Sequence, residues 1–343
     1  MKPTLVFYMG YSEPFNGLNY KHRNVFGSEI NTIKLAESLT SFYNVFIFVN
    51  TEQELIHNNV SYLHFNKFSF FKSIDVLIIV RYIHFLIYHN IIAKKTFLWI
   101  CDTIINPYYD GVVLHNNFLY NLKNNLNGLI CLSDWHLTNL HSVYNLNLHN
   151  HTIIPNPLDL SYYKHNIPII KNRFIYMSDP NRGLTILLDC LLYIQKFINI
   201  SLVVFRKDEF TQEIKTKIQL LNNVFIYGKE SQETIANECL KSEYFFYPTN
   251  FPETFCNCAA EAQLYNTVCI YNNVGSLNTI IGNRGLQINH NINSDDYVEK
   301  TCIEVITLMN DEEKKEDFKF RGHNWAKTLD VNLVKKKWIS LLQ

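Results

Sequence analysis

The chain lacks an excess of charge of either sign, because its 343 residues include 31 lysines and arginines against 31 aspartates and glutamates. Proteins that bind nucleic acid nonspecifically need a basic surface that displaces counterions from the phosphates. The sequence also has no uninterrupted apolar run of the roughly eighteen residues that a membrane-spanning helix requires. It therefore predicts no nucleic-acid partner and no spanning helix.

Several motifs of nucleotide and metal binding are missing as well. The first predicted strand is followed by MGYSEPFNG, which is not a G-x-G-x-x-G turn, and no G-x4-G-K-[ST] loop occurs. These absences disfavour dinucleotide oxidoreductases and P-loop ATPases. Among the eight cysteines, Cys256 and Cys258 are too close together for the usual zinc spacing. With no apolar signal core at the N-terminus, the sequence predicts a soluble protein of the reducing cytoplasm.

What the sequence does contain is an alternation of short apolar runs with helical patterns. In the first half, five such runs predict strands at 4–9, 45–49, 76–80, 96–100 and 128–133. In the second half, six runs predict strands at 173–178, 201–205, 224–228, 244–248, 267–271 and 285–289. Continuous apolar strands separated by helices are typical of parallel sheets that are covered on both faces.

The two halves predict two domains of the α/β class. The boundary is expected within 154–172, a segment with three prolines and no clear period. We predict a Rossmann-like domain over 1–160, a second over 161–325, and a C-terminal helix over 326–343 that packs back on the first domain. If the two sheets face each other, their strand carboxyl ends surround a shared cleft, and open α/β sheets bind ligands beyond those ends.

The segment YPTNFPETFCNCAAEA places two glutamates, Glu253 and Glu261, in an otherwise apolar run. A buried carboxylate is costly unless a cation or a hydrogen-bond donor meets it. If a helix spans 254–265, the backbone amides at its start form an anion site. A nucleotide sugar would then present its diphosphate to the helix and its hydroxyls to the carboxylates. A surface helix with two solvated glutamates is the alternative.

The pattern from Glu253 to Glu261 resembles the E-x7-E signature of retaining glycosyltransferases of the GT-B fold, family 4 type, also called glycosyl transferases group 1. Further blocks extend the resemblance over nearly the whole chain: FGSEINTIKLAESL, LWICD, LSDWHLTNL, IPNPLD and YMSDPNRGLTILLDC. The resemblance implies two facing Rossmann-like, doubly wound domains with an interdomain cleft. It also implies transfer of a sugar from a nucleotide-sugar donor to an acceptor hydroxyl with retention of the anomeric configuration.

Carried over position by position, the resemblance implies roles for individual residues. Glu253 would hold the donor sugar, Glu261 would accept hydrogen bonds from the ribose, and Arg182 would neutralise the departing diphosphate. Asp102 is the nearest candidate for orienting the acceptor or the sugar. The other expected donor-binding residues are Thr254, Phe255, Gly27, Ser28, Cys101 and Lys229.

The expected partners follow from the same resemblance. The chain has no Asp-x-Asp motif of the metal-dependent transferases, so we expect no catalytic metal and no cofactor, with a UDP- or GDP-sugar as the donor substrate. The leaving diphosphate could itself take the proton of the acceptor. The acceptor is expected to be a glycan, a glycoprotein or a lipid-linked molecule. The phenylalanines and lysines of NKFSFFKSI allow a membrane contact, although buried packing is the favoured interpretation of that stretch.

Three departures from the family pattern keep a second interpretation open. Phe26 stands where the family's loop has the first of two glycines, and Cys101 stands where it has a pocket histidine. The basic residue that often precedes Arg182 by a few positions is missing, and Arg206 and Lys207 either compensate for it or form a plain surface pair. A catalytically inactive sugar-nucleotide-binding protein of the same fold is therefore the alternative.

Overall fold

The computed structural model of the chain describes residues 2–10, 12–20, 25, 27–82, 85, 89, 93–105, 120, 124–144, 150–164, 166–205 and 209–343. The chain divides into two units. One consists of Met1–Pro157 together with Asp330–Gln343, and the other of Leu158–Leu329. Each unit is built around its own sheet.

The described strands of the first unit are β1 (Thr4–Met9), β2 (Asn44–Val49), β3 (Leu55–His57), β4 (Val60–His64), β5 (Ile74–Val80), β6 (Ala93–Trp99), β7 (Gly128–Cys131) and β8 (His151–Ile153). Those of the second unit are β9 (Ile170–Tyr176), β10 (Ser201–Phe205), β11 (Val224–Tyr227), β12 (Ser242–Tyr247), β13 (Val268–Asn272) and β14 (Gly285–Ile288). All five predicted strands of the first half and all six of the second are confirmed, with ends that differ by at most three residues.

The described helices are α1 (Gly27–Leu39), α2 (Asp134–Tyr144), α3 (Leu184–Ile194), α4 (Gln212–Leu220), α5 (Gln232–Lys241), α6 (Asn257–Leu264), α7 (Leu277–Ile280), α8 (Tyr297–Met309), α9 (Glu312–Lys327) and α10 (Val331–Leu342). None of these segments combines the length and the apolar character of a membrane span.

The sheet of the first unit has the strand order β3-β4-β2-β1-β5-β6-β7-β8. Its neighbouring strands are parallel, apart from the antiparallel pair β3 and β4. The central strand β1 is buried from Leu5 to Met9 without alternation, as expected for a sheet covered on both faces. The order reverses at β1, because β2 lies on one side of it and β5 on the other. Sheets of this kind bind ligands beyond the strand carboxyl ends at such a reversal.

The sheet of the second unit is parallel throughout, in the order β11-β10-β9-β12-β13-β14. Its strands also read as continuous apolar runs, and every residue of β12 is buried. The order reverses between β9 and β12, because β10 and β11 extend the sheet on the far side of β9. The loops that follow β9 and β12 therefore leave the sheet at its reversal point.

Two apolar segments complete the core of the first unit. Phe68, from the stretch NKFSFFKSI, is buried with its ring centroid 5.3 Å from that of Tyr8, while Phe70 is 76% exposed. Within the predicted C-terminal helix over 326–343, the structure ends α9 at Lys327 and begins α10 at Val331. The side chain of Asp330 caps the start of α10. Helix α10 contributes Trp338, whose ring lies 4.8 Å from that of Trp99.

Candidate functional site

The loops after β9 and β12 lie side by side. After β9, the 3-10 turn Pro180–Arg182 leads to Gly183, which has φ +116°. A Cβ atom at Gly183 would lie 2.1 Å from the carbonyl oxygen of Pro248, in the loop after β12. Only glycine combines this backbone conformation with so close an approach. Because the two loops touch here, Arg182 is held beside the second loop.

The carboxylate of Glu253 meets two donors at the same oxygen. Arg182 Nη1 lies 3.0 Å from Glu253 Oε1, and the Tyr247 hydroxyl donates to the same Oε1 at 2.7 Å. Ser178 Oγ lies 3.0 Å from the Tyr247 hydroxyl oxygen. The guanidinium carbon of Arg182 also lies 3.9 Å from the ring centroid of Phe251, a cation–π distance. A cation and a buried hydroxyl are thus the partners that a carboxylate in this apolar segment required.

Burial and charge together fix the protonation of these groups. Burial raises the pKa of Tyr247 well above its ordinary value, and the negative charge of Glu253 raises it further. For Arg182, burial acts to lower the pKa, but the carboxylate of Glu253 outweighs it and the net pKa is raised. Tyr247 therefore remains a neutral hydrogen-bond donor and Arg182 remains a cation wherever the chain is folded.

The helix after Glu253 begins later than predicted. Helix α6 starts at Asn257 rather than Thr254, and Cys256 at its N-cap has φ +64°, a left-handed conformation that a helical residue cannot have. Thr254 and Phe255 are buried in the preceding loop. Their amides therefore belong to the loop, and the predicted helix over 254–265 was wrong in its first turn.

Glu261 lies on α6 and is half-buried. Burial raises the pKa of the Cys258 thiol, and the charges of Glu261 and Glu253 raise it further. That thiol donates to the carbonyl oxygen of Met177, which follows β9, at 3.1 Å. Cys258 therefore ties the first turn of α6 to the end of β9, and Glu261 lies about one turn further along that helix.

The backbone of Glu253 is fixed from the side of β13. Gly275 has φ +62°, and a Cβ atom there would lie 2.5 Å from the backbone nitrogen and oxygen of Glu253. The amide of Ser276 donates to the carbonyl oxygen of Glu253 at 2.7 Å. Lys229, by contrast, is exposed after β11, an edge strand that β10 and β9 separate from β12.

The remaining candidate residues lie in the first unit. Gly27 and Ser28 begin α1, and Cys101 and Asp102 follow β6. Burial raises the pKa of the Cys101 thiol, and the charges of Asp102 and of the buried Glu29 raise it further.

Arg81, which the sequence analysis did not identify, pairs with Asp102. Arg81 Nε and Nη2 lie 2.6 and 2.8 Å from the two carboxylate oxygens of Asp102, and the side chains are 14% and 23% exposed. Arg81 directly follows β5 with φ +68°, and its amide donates to the Trp99 carbonyl oxygen at 2.8 Å. An arginine directly after an apolar strand beside the reversal of the sheet is the signal that could have identified it.

Helix α2 fixes the turn that carries Asp102. His136 Nε2 lies 2.9 Å from the Asp102 carbonyl oxygen, and the Leu132 amide donates to His136 Nδ1 at 3.3 Å. These partners assign the ring proton to Nε2. Asn139 Nδ2 donates to the Thr103 carbonyl oxygen at 2.7 Å. Burial lowers the pKa of His136 to about 4, so the ring is neutral near pH 7.

Phe26, Arg206 and Lys207 lie outside the described residues. The consequence of Phe26 stays a prediction, and so do both interpretations of Arg206 and Lys207, as compensating residues or as a plain surface pair. Within the described ranges, no three His, Cys, Asp or Glu side chains are grouped as metal ligands would be. Ser178, four residues before Arg182, contacts the Tyr247 hydroxyl.

The segment that holds this cluster matches a known family. Residues 165–325 match the model described as Glycosyl transferases group 1, and the match includes Arg182, Glu253 and Glu261. No curated protein matches the sequence significantly. The family match lies within the second unit and covers slightly less than half of the chain.

Solved structures share the fold over nearly the whole chain. Sucrose-phosphate synthase from Thermosynechococcus elongatus superposes with a TM-score of 0.76 at 11% identity, covering 99% of this chain and 98% of the other. HepE from Anabaena, in complex with UDP, has a TM-score of 0.75 at 15% identity, covering 100% and 99%. A glycosyltransferase from Rickettsia africae has 0.72 at 14% identity, covering 99% and 98%. The fold is therefore GT-B, with two Rossmann-like domains.

Proposed function

We propose that the chain transfers a sugar from a nucleotide-sugar donor to an acceptor hydroxyl with retention of the anomeric configuration, as a family 4 glycosyltransferase. The observation that carries this proposal is the contact between Arg182 and Glu253 beyond the reversal of the second sheet, with Glu261 on the helix that follows. A cation beside one carboxylate at such a point, with a second carboxylate on that helix, suits a ligand that has a diphosphate between two hydroxyl-bearing groups.

Arg182 is the proposed partner of the diphosphate. Negative charge grows on the leaving diphosphate as the bond to the sugar breaks, and a preorganised guanidinium stabilises that charge. Its side chain is 38% exposed, so a ligand can reach it. The amides at the start of α6 add the positive end of a helix dipole on the same edge.

Glu253 and Glu261 are the proposed partners of the donor's hydroxyl groups. The side chain of Glu253 is only 9% exposed, so it can present a fixed carboxylate to the sugar. Glu261 would accept hydrogen bonds from the ribose, and the buried loop at Thr254 and Phe255 would contribute backbone amides to the sugar side. Buried, fixed acceptors favour one orientation of a polyol, which is how specificity among sugars arises.

In this proposal the leaving diphosphate takes the proton of the attacking hydroxyl, so no side-chain base and no catalytic metal is needed. Asp102, whose carboxylate oxygens both bind Arg81, is suited to orienting a hydroxyl. Gly27, Ser28, Cys101 and Lys229 remain proposed donor contacts. The proposed acceptor is a glycan, a glycoprotein or a lipid-linked molecule, and the proposed location is the cytoplasm. Because the Anabaena relative was solved with UDP, uridine donors are the first to test.

A thermal-shift panel of UDP-, GDP- and ADP-sugars tests donor binding. At least one donor should raise the melting temperature of the wild type, because a ligand that binds the folded state stabilises it by mass action. Glu261→Ala should lose most of that shift, whereas Glu313→Ala, at an exposed position of α9, should retain it. The proposal fails if no donor shifts the wild type or if Glu261→Ala keeps the full shift.

Release of nucleoside diphosphate from the donor that binds separates an enzyme from an inactive binder. Cys101, in place of the family's histidine, is the residue that motivates this second measurement. An enzyme transfers the sugar to water or to an acceptor and releases the nucleoside diphosphate over time. Tight binding without release, across a panel of acceptors, would support the inactive alternative.

A further inference from the structure

Arg182 and Glu253 contact each other directly. The contact joins one guanidinium nitrogen to Glu253 Oε1, the same oxygen that accepts from Tyr247. In the proposed function, each of these two side chains has a different part of the donor to bind. A pyrophosphate group and a sugar hydroxyl therefore compete with this contact, one for the Arg182 guanidinium and the other for Glu253 Oε1.

We propose that the Arg182–Glu253 contact is a resting contact that a pyrophosphate group displaces, while Tyr247 acts as a positioning residue that holds Glu253 in place throughout. The inference rests on the proposed function and specifies the order of events in that same site. Pyrophosphate binding draws Arg182 away, and a sugar hydroxyl then takes its place on Oε1.

The side chain of Arg182 can leave at small cost. It is 38% exposed, and when it leaves, the buried carboxylate of Glu253 still accepts a hydrogen bond from the Tyr247 hydroxyl. A pyrophosphate carries more charge than a carboxylate and accepts two parallel hydrogen bonds from one guanidinium. The ring of Phe251, 3.9 Å from the guanidinium carbon, provides a surface on which the cation can turn without leaving the loop.

The carboxylate of Glu253 cannot follow Arg182. Its backbone carbonyl accepts from the Ser276 amide at 2.7 Å, and Gly275 packs against its backbone. The Tyr247 hydroxyl holds Oε1 at 2.7 Å, and Ser178 lies 3.0 Å from that hydroxyl. When Arg182 leaves, Glu253 Oε1 still accepts from the Tyr247 hydroxyl and can accept a second hydrogen bond from a sugar hydroxyl.

Competition for one oxygen predicts opposite effects on the two parts of the donor. Removing the charge of Glu253 releases Arg182, so pyrophosphate should bind more tightly. The same change removes the acceptor for the sugar, so the extra affinity of a nucleotide sugar over its diphosphate should fall. Removing the Tyr247 hydroxyl leaves Glu253 dependent on Arg182, so both affinities should fall, that of the nucleotide sugar more strongly.

The test measures affinities of inorganic pyrophosphate, of UDP, GDP and ADP, and of the matching nucleotide sugars. Glu253→Gln, which keeps the side-chain shape, should bind pyrophosphate about fivefold more tightly than the wild type. Simple repulsion between Glu253 and phosphate would give a similar gain, so the change is repeated in an Arg182→Met background. There the gain should largely vanish, because no cation remains to be released, whereas repulsion would persist.

Tyr247→Phe tests the positioning role. It should lower the ratio of nucleotide-sugar to diphosphate affinity about tenfold and raise the donor KM more than it lowers kcat, as expected for the loss of one hydrogen bond to a charged group. Tyr244→Phe is the matched control, since its hydroxyl donates to Glu243 on the same strand at 3.2 Å. The control should leave the ratio unchanged.

The outcomes separate the two proposals. If the wild type binds neither pyrophosphate nor any of the nucleotides, the proposed function falls and the resting contact falls with it. If the wild type binds them but Glu253→Gln gains nothing, or gains equally without Arg182, only the resting contact is overturned. An unchanged affinity ratio in Tyr247→Phe would remove Tyr247 from its positioning role.

Discussion

Each unit places an arginine beside a carboxylate at the carboxyl edge of its sheet, on neighbouring strands and near the reversal of strand order. Arg81 follows β5 and binds Asp102 after β6 through two nitrogens and two oxygens. Arg182 follows β9 and binds Glu253 after β12 through one nitrogen and one oxygen. The first arginine is 14% exposed and the second 38%.

The difference separates a fixed pair from an exchangeable one. Breaking a bidentate ion pair that is largely shielded from water destabilises the folded state, because the remaining buried charge loses its partner. Arg81 is also held by its backbone amide, and the turn of Asp102 is held by His136. Arg182 instead rests on an aromatic ring with part of its side chain in solvent. We interpret the first pair as a framework pair that holds Asp102 in place, and the second as a pair that a ligand can exchange.

Replacing each arginine by methionine tests the distinction between the two pairs most directly. Arg182→Met should lower kcat/KM for the donor by about 100-fold or more, because it removes the cation that neutralises the leaving diphosphate. It should change the free energy of unfolding by less than about 1 kcal/mol. Arg81→Met should lower the free energy of unfolding by about 2–3 kcal/mol, because Asp102 loses both donors. Donor hydrolysis and urea unfolding measure the two effects. Equal destabilisation by both changes would contradict the distinction.

The backbone beneath the exchangeable pair gives the next largest effect. Gly183→Ala should lower the free energy of unfolding by about 2 kcal/mol, because φ +116° and the Pro248 carbonyl both oppose a Cβ atom. Gly228→Ala is the control, since a Cβ atom there meets nothing within 4 Å and should change stability by less than about 0.5 kcal/mol. Equilibrium unfolding in urea measures both, and similar values for the two variants would exclude the tight approach at Gly183.

The smallest effect concerns pH and the framework pair. Burial lowers the pKa of His136 from 6.5 to about 4, so the unfolded chain takes up a proton first as the pH falls. Stability is therefore full above about pH 6.5, declines below it, and levels off below about pH 4. Between pH 7 and 5.5 the loss should be about 1 kcal/mol. His136→Gln should remove that part of the pH dependence. Burial also lowers the pKa of His89, so the contribution of His89 to the pH dependence of stability should remain. If His136→Gln left the dependence of the free energy of unfolding on pH unchanged, as measured by urea unfolding, the assignment to His136 would be contradicted.

Part of the candidate site was predictable because it depends on local sequence. The two glutamates were identified from their spacing and Arg182 from the family resemblance; Arg182 does contact Glu253, and the role of Glu261 stays a prediction. The start of α6 was not predictable, because the left-handed backbone of Cys256 belongs to a loop fixed by Gly183 and Gly275 from other strands. Arg81 was missed because its partner is 21 residues away, on the neighbouring strand.

The sequence by itself determined the strands, since a strand buried on both faces must be apolar at every position, and such runs are read directly from the chain. It also determined that Glu253 needs a partner. Only the tertiary structure decided which partner, because Arg182 lies 71 residues away and reaches Glu253 only after β9 and β12 pair. Hydrogen bonds and ion pairs act over a few ångströms, so they depend on which strands become neighbours, and no local pattern records that choice.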